Sequence, residues 1–357
     1  MNLNKVFKNK KILITGHTGF KGSWLTALLL ELKANIVGVS INSKKNSHYS
    51  ALNLKKKIID LRADITDLKK LEKIIKKHKP EFVFHLAAQS LILKSYAEPL
   101  NTWKTNVIGT LNLVEVLKSL KNNCYAVIIT SDKCYLNVEK NEGYKETDRL
   151  GGLDPYSASK ASAELVVASE INSFIKKNHK VRIATARAGN VIGGGDWSEN
   201  RIIPDYIKSV KRKKKLKIRN PDSTRPWQHV LEPLYGYLEL AAALKFKKNI
   251  HGQSFNFGPE KYANKTVLDV IKEMKKNLLL GHWKIIKSSA SKGKEAKLLH
   301  LNCAKAKKIL KWRSVLNFKE TIEMVASWYE YYNFNPKNVE DKTISQIKEY
   351  QNLKDSK

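Results

Sequence analysis

The chain has 357 residues, 42% of them hydrophobic, enough for a large core and for two domains or one domain with a substantial lobe. Lys and Arg outnumber Asp and Glu by 66 to 33, and the net charge of +33 asks for an anionic partner. Three cysteines, Cys124, Cys134 and Cys303, lack CxxC spacing, which argues against a disulfide framework and fits a reducing cytoplasm; no apolar run reaches signal-peptide or transmembrane length, so a soluble protein with no membrane partner is expected.

Lys11 to Thr15 (KILIT) predicts a strand, a glycine-rich turn follows, and WLTALLLELKA has helix length and pattern before the strand NIVGVS. The alternation continues with IIDLRADI as strand, Asp67 to Lys77 as helix, FVFHLAA as strand and Asn101 to Ser119 as one long helix. YAVIIT, a helix from Tyr156 to about Lys176, and VRIATARA complete it. Strands that are apolar throughout, separated by helices, predict an α/β fold with a doubly wound, Rossmann-type parallel sheet covered on both faces.

From about Asn190 the pattern changes to a glycine-rich loop (GNVIGGGDW), Pro204, a basic run and NPDSTRPWQHV, which marks a smaller C-terminal lobe. LYGYLELAAALK as helix and SFNFG as strand are expected to return to the first sheet. The expected organisation is a dinucleotide-binding domain over 1–189 with returning elements from about 224–258, a substrate lobe mainly over 190–340, and a peripheral charged tail over 341–357. Lys211 to Arg219 (KRKKKLKIR) is either a phosphate-tracking patch or the solvated coat of a surface helix. The second reading is preferred, and with it no nucleic-acid partner, because no nucleic-acid-binding motif accompanies the charge.

GHTGFKG directly follows one predicted strand and opens a helix, which is where glycines let a backbone close on a pyrophosphate at a helix N-terminus. Gly16, Thr18, Gly19, Phe20, Lys21 and Gly22 are therefore candidate cofactor contacts, although GxxGxxG differs from GxGxxG. The second strand ends in Ser40, Ile41 and Asn42 instead of the acid that grips an NAD ribose. NAD is the expected cofactor, and Lys44 and Lys45 leave NADP open. Asp64, beside Ile65, is a candidate partner of the adenine or else a turn or cap residue.

ITSDKCY ends a strand in Ser131, Asp132 and Lys133, and YSASK places Tyr156 and Lys160 on one face of a helix. A phenol with an ordinary pKa of about 10 needs help to act near neutrality, and an ammonium beside it favours the phenolate. YxxxK alone is a common accident of helical sequence; after a dinucleotide turn and a strand-end serine it reads as a proton shuttle. His85 and His229 have no partner at ligand spacing, so no metal is assigned.

Together, TGHTGFKGSWL, FHLAAQ, TSDKCY, DPYSASKASAE, ARAGNVIGGGDW, NRIIPD and RPWQHVLEPLYGYLELA resemble the extended short-chain dehydrogenase/reductase superfamily. Within it they are similar to the CDP-glucose 4,6-dehydratase family from about Lys10 to Trp328. The resemblance implies internal hydride transfer through NAD on a nucleotide sugar, with a 4-keto-6-deoxy sugar as product. It implies Ser131 at the sugar's 4-oxygen, Tyr156 as its base, Lys160 on the nicotinamide ribose, and Asp132 and Lys133 as the dehydrating pair. Asp132 is read as acid and Lys133 as base, the latter only when neutral, with a strand-end ion pair as the alternative. Leu86, Ala87, Ala88 and Thr130 would face the cofactor; Gln89, Asn190, Arg201 and Arg225 would face the substrate, and a homodimer through the Tyr156 helix is implied. A related hexose or heptose dehydratase and an epimerase are the neighbouring readings. A non-catalytic NAD-sensing or nucleic-acid-binding protein is the reading from another class.

Overall fold

In a computed structural model, which describes residues 2–176, 179–260, 264–286 and 298–356, the apolar runs become β1 (Lys11–Thr15), β2 (Asn35–Ser40), β3 (Ile59–Arg62), β4 (Phe82–His85), β5 (Cys124–Ile129) and β6 (Val181–Ala188). Shorter strands follow: β7 (Val191–Ile192), β8 (Leu216–Ile218), β9 (Thr224–Pro226), β10 (Gln228–His229), β11 (Ser254–Phe257), β12 (Asn264–Thr266) and β13 (Trp283–Ile285). Seven strands form one sheet in the order β11, β6, β5, β4, β1, β2, β3, with every pairing parallel. The order reverses between β1 and β4, and in such sheets ligands bind beyond the strand ends at that point. Every residue of β5 is buried, because helices cover both faces.

The helices of the first half are α1 (Leu3–Phe7), α2 (Phe20–Glu31), α3 (His48–Ala51), α4 (Leu68–His78), α5 (Ile92–Ala97), α6 (Pro99–Trp103), α7 (Gly109–Lys118) and α8 (Pro155–Phe174). The second half adds α9 (Ile202–Lys211), α10 (Leu231–Phe246), α11 (Val267–Leu278), α12 (Ala304–Leu310), α13 (Phe318–Phe334) and α14 (Val339–Ser356). Local chemistry sets their starts. Asp154 accepts from the Ser157 N–H at 2.9 Å ahead of α8, whose first residue is Pro155, where no N–H is needed. Capping boxes Thr266/Asp269 and Asn317/Glu320 open α11 and α13. SFNFG joins the sheet beside β6 as β11, and LYGYLELAAALK lies within α10, which packs on β5 and β6.

Three expectations need correction. Asn101 to Ser119 is not one regular helix: a π-helical turn at Lys104–Ile108 separates α6 from α7. Arg219 and the lysines before it do not coat a helix, since α9 ends at Lys211 and the chain re-enters as β8, paired with β13. The segment 341–357 is not a peripheral tail. From Val339 to Ser356 it is α14, which buries Val339, Thr343, Gln346, Ile347 and Tyr350 against α13 and α2.

Candidate active site

The β1–α2 loop closes on the end of β4. Gly16 has φ +77°, and a Cβ there would stand 2.6 Å from the Ala87 backbone nitrogen; at Gly22 it would meet the Gly16 carbonyl oxygen at 2.1 Å. Both positions require glycine. α2 starts after an extended Gly19 with no side-chain cap, a helix N-terminus suited to phosphate. A cradle that any side chain would fill, at the switch point of the sheet, fits a dinucleotide.

The rest of the loop is pinned from the side. Thr18 Oγ1 donates to the Asn42 carbonyl at 2.7 Å, while Phe20 packs on the core. His17, which sequence reasoning passed over, is fully buried, with Nε2 2.8 Å from Asp60 Oδ1 and Nδ1 3.2 Å from Ser40 Oγ. Burial lowers the His17 pKa, and Asp60 partly opposes it. Gly38, across from Asp60 in the β2–β3 register, leaves room for the ring, which a Cβ would approach to 2.5 Å. An acid therefore stands on β3, not at the end of β2, with its second oxygen bonded to Arg62 Nη2 at 2.7 Å. Asp64 is exposed and accepts from the Thr66 N–H at 2.8 Å, a turn role, while Ile65 is buried against Gly109.

At the end of β4, Leu86 N–H donates to the Thr15 carbonyl at 3.0 Å and Ala87 N–H to Thr15 Oγ1 at 3.3 Å. Ala88 follows, half-buried. His85 bridges Thr15 and Thr110 through its two ring nitrogens, and burial lowers its pKa to about 3. His229 is likewise buried, lowered to about 3, and accepts from the Leu231 N–H. Each imidazole is thus a neutral structural tie. Gln89 is held at both ends: its backbone N–H and carbonyl bond the Asn106 amide, and its side chain bonds Leu91 and Thr102. Asn106 sits in the π-helical turn, a bulge that lets its Nδ2 also reach Ser159 on α8.

β5 ends at Ile129, and Ser131 caps a short 3₁₀ turn, accepting from the Lys133 N–H at 3.2 Å. Ser131 Oγ donates to Asp132 Oδ1 at 2.9 Å. Asp132 is buried, Lys133 is half-buried, and no ion pair joins the two among the described residues. Gly189 at the end of β6 makes room, since a Cβ there would come within 3.2 Å of Asp132 Oδ2 and 3.6 Å of Pro226.

Tyr156 and Lys160 are both buried on α8. Burial pushes the Tyr156 phenol up to about 12, and its hydrogen bond with Ser131 pulls it back. The chain's own groups therefore do not produce the net depression expected from the neighbouring lysine: desolvation of a buried phenolate outweighs them. Burial lowers Lys160 to about 8, opposed by Glu164, and its Nζ donates to the Ile129 carbonyl at 3.5 Å. Lys21 belongs as much to this end as to the loop. Its Nζ donates to the Tyr237 hydroxyl at 3.4 Å, and burial, then the Arg201 charge, lower it to about 7 while Asp132 raises it.

From the second lobe, Arg201 precedes α9 and donates to Asp196 Oδ2 at 3.1 Å, and its charge is felt at Tyr156. Arg225 is buried on β9, with Nη1 bonded to the Thr224 carbonyl at 2.6 Å. Asn190 lies half-buried between β6 and β7. His17 and Tyr237 lie inside the quoted motifs and Asn106 outside them, but none was given a role; only the folded chain gathers them.

A family model described as GDP-mannose 4,6 dehydratase matches residues 13–325. A CDP-glucose 4,6-dehydratase from Salmonella typhimurium is 41% identical, with 91% of each chain covered, and a UDP-glucose 4-epimerase from Mycoplasma genitalium is 25% identical over 90% of this chain and 97% of that one. Among solved structures, a dTDP-glucose 4,6-dehydratase from Bacillus anthracis in complex with NAD superposes with a TM-score of 0.74 at 22% identity, covering 90% of this chain and 96% of that one. At that identity it speaks for the fold. With a family model spanning most of its length and a full-length relative sharing two residues in five, the chain belongs to the GDP-mannose 4,6 dehydratase family.

Proposed function

We propose that this protein is an NAD-dependent CDP-glucose 4,6-dehydratase, a hydro-lyase that makes the 4-keto-6-deoxy sugar nucleotide and water. The observation that carries this reading is the turn Ser131, Asp132, Lys133 packed against the start of α8, with the Ser131 hydroxyl bonded to the Asp132 carboxylate and lowering the Tyr156 pKa against burial. An epimerase needs the serine, tyrosine and lysine but has no step for a buried acid beside a lysine. The CDP-glucose 4,6-dehydratase of S. typhimurium supports the substrate, and the relatives solved with NAD support NAD over NADP.

Gly16, Gly19 and Gly22 would hold the pyrophosphate, Leu86 to Ala88 and Thr130 the face toward the sheet, and Lys160 the ribose beside the sugar. NAD in that cradle supplies a hydride acceptor for oxidation at C4 and, once reduced, the donor that completes C6. Tyr156 Oη takes the proton of the 4-hydroxyl, whose oxygen Ser131 orients. The resulting carbonyl acidifies the C5 proton. Lys133 removes it as the general base, while Asp132, as the general acid, protonates the C6 hydroxyl that leaves as water. Arg201 and Arg225 would meet the diphosphate, where a planar fork matches phosphate oxygens, with Asn190 and Gln89 toward the sugar.

The exposed Leu93, Leu100, Trp103, Ile108 and Leu165 on adjoining α5 to α8 support a homodimer through the Tyr156 helix. The lack of CxxC spacing, with every cysteine buried and unpaired, supports a cytoplasmic enzyme. Incubating the protein with CDP-, dTDP-, UDP- and GDP-glucose and following loss of water by mass spectrometry tests the reading. Turnover of CDP-glucose above the others is expected, and no water loss from any of them would overturn it.

A further inference from the structure

Beneath the catalytic pair lies a buried carboxylate that no step above uses. Glu164 is one helical turn beyond Lys160 on α8 and is 3% exposed. Its oxygens accept from Arg187 Nε at 2.9 Å and Nη2 at 3.0 Å, from Thr185 Oγ1 at 2.7 Å, from Ser254 Oγ at 3.3 Å and from Thr130 Oγ1. Arg187 also donates to the Tyr135 hydroxyl at 2.7 Å and the Glu146 carbonyl at 3.0 Å. The Tyr135 hydroxyl donates in turn to Asn256 on β11 at 2.8 Å. One ion pair thus ties α8 to Thr130 just before Ser131, to Tyr135 just after the Asp132–Cys134 turn, and to β6 and β11.

A buried ion pair is weak evidence for stability, because well-packed apolar side chains serve as well or better in many such places. Its position suggests another use. We propose that Glu164 is a positioning residue for the dehydratase reaction: through Thr130 and Arg187 its carboxylate fixes the strand end that carries Ser131 and Asp132, and one helical turn from Lys160 it supplies the negative charge on that lysine's own helix. This rests on the function proposed above.

The groups facing Lys160 from each packed element make the electrostatic part specific. Glu164 and Tyr156 lie on its own helix, Cys134 on the turn after β5, His85 at the end of β4, and Lys21 on α2; Arg187 on β6 stands behind Glu164. Among these Glu164 is the carboxylate that raises the Lys160 pKa against burial, and Lys21 is a like charge.

The test is the pH profile of CDP-glucose turnover. Glu164→Gln alone strands a guanidinium, so the charge is removed in Glu164→Gln/Arg187→Met, and Glu164→Asp keeps the charge on a shorter arm. In the double variant the alkaline limb should move down by about one pH unit, because Lys160 loses its proton more easily. In Glu164→Asp the limb should stay, while kcat falls about tenfold with KM little changed, because the Thr130 anchor has shifted. An unmoved limb in a folded double variant that binds NAD overturns the proposal, as does full kcat in Glu164→Asp, which decides the matter if the double variant fails to fold. Failure of the unaltered enzyme to turn over CDP-glucose brings down the functional reading and this inference with it; turnover with neither effect sinks the inference alone.

Discussion

Ser131 Oγ donates to Asp132 Oδ1 at 2.9 Å and accepts from the Lys133 N–H at 3.2 Å, and Ser131 lowers the pKa of Tyr156 against burial. A hydroxyl has one proton to give. The proton given to the Asp132 carboxylate is not available to the Tyr156 oxygen, so changing Asp132 changes what Ser131 can offer the phenol. On the proposed function, Ser131 stands where the oxidation and dehydration groups meet.

Asp132→Asn should therefore keep the oxidation half-reaction, since an amide can donate to Ser131 as a protonated acid would, and should slow water loss by about 10²- to 10⁴-fold. Trapping the 4-keto hexose with borodeuteride and weighing the products distinguishes the halves. Tyr156→Phe should abolish both. Equal loss of both half-reactions in Asp132→Asn would remove Asp132 from its assigned step.

The glycine loop gives a contrast between two substitutions. Gly22→Ala forces a Cβ to within 2.1 Å of a backbone carbonyl in the cradle, so NAD affinity measured by calorimetry should fall at least about tenfold. Gly252→Ala instead puts a side chain on a left-handed residue, φ +77°, outside the loop, where it meets only Ile171 at 3.4 Å. It should lose about 1–2 kcal/mol of stability and leave NAD binding intact.

Glu232 supplies a pH dependence. Fully buried at the start of α10, it accepts from the Val315 and Leu316 N–H groups at 2.9 and 2.7 Å and from the Tyr350 hydroxyl on α14 at 2.7 Å. Burial raises its pKa to about 7, these donors opposing. Since the folded form holds the proton more tightly than the unfolded chain, this site's contribution is complete below about pH 4.5 and is lost as pH rises toward 7. Glu232→Gln should flatten that part of the melting-temperature profile, and Glu232→Ala, which strands two N–H groups, should lose about 2–3 kcal/mol at every pH. A profile that keeps its slope in Glu232→Gln would contradict the assignment.

The sheet was legible because strands buried on both faces leave unbroken apolar runs, and the loop because Gly16 and Gly22 have no substitute. α14 was missed because its charges hide the spacing of Val339, Thr343, Ile347 and Tyr350, which puts four buried residues on one stripe. The displaced acid was missed for a different reason: Asp60 reaches His17 only through the β2–β3 register, which periodicity does not specify. Glu164 reads as any polar helix residue until β6 brings Arg187 to it. Lys21 was placed with the cofactor loop, and only the fold shows that its ammonium also faces Tyr237 and Asp132.

The central claim is that one hydride leaves the hexose and returns to it within a turnover. CDP-glucose carrying deuterium at C4, incubated with the enzyme in ordinary water, tests this most directly by mass spectrometry and NMR of the product. The account predicts deuterium in the C6 methyl group and a solvent proton at C5. A methyl group without the label, alongside loss of water, would contradict it.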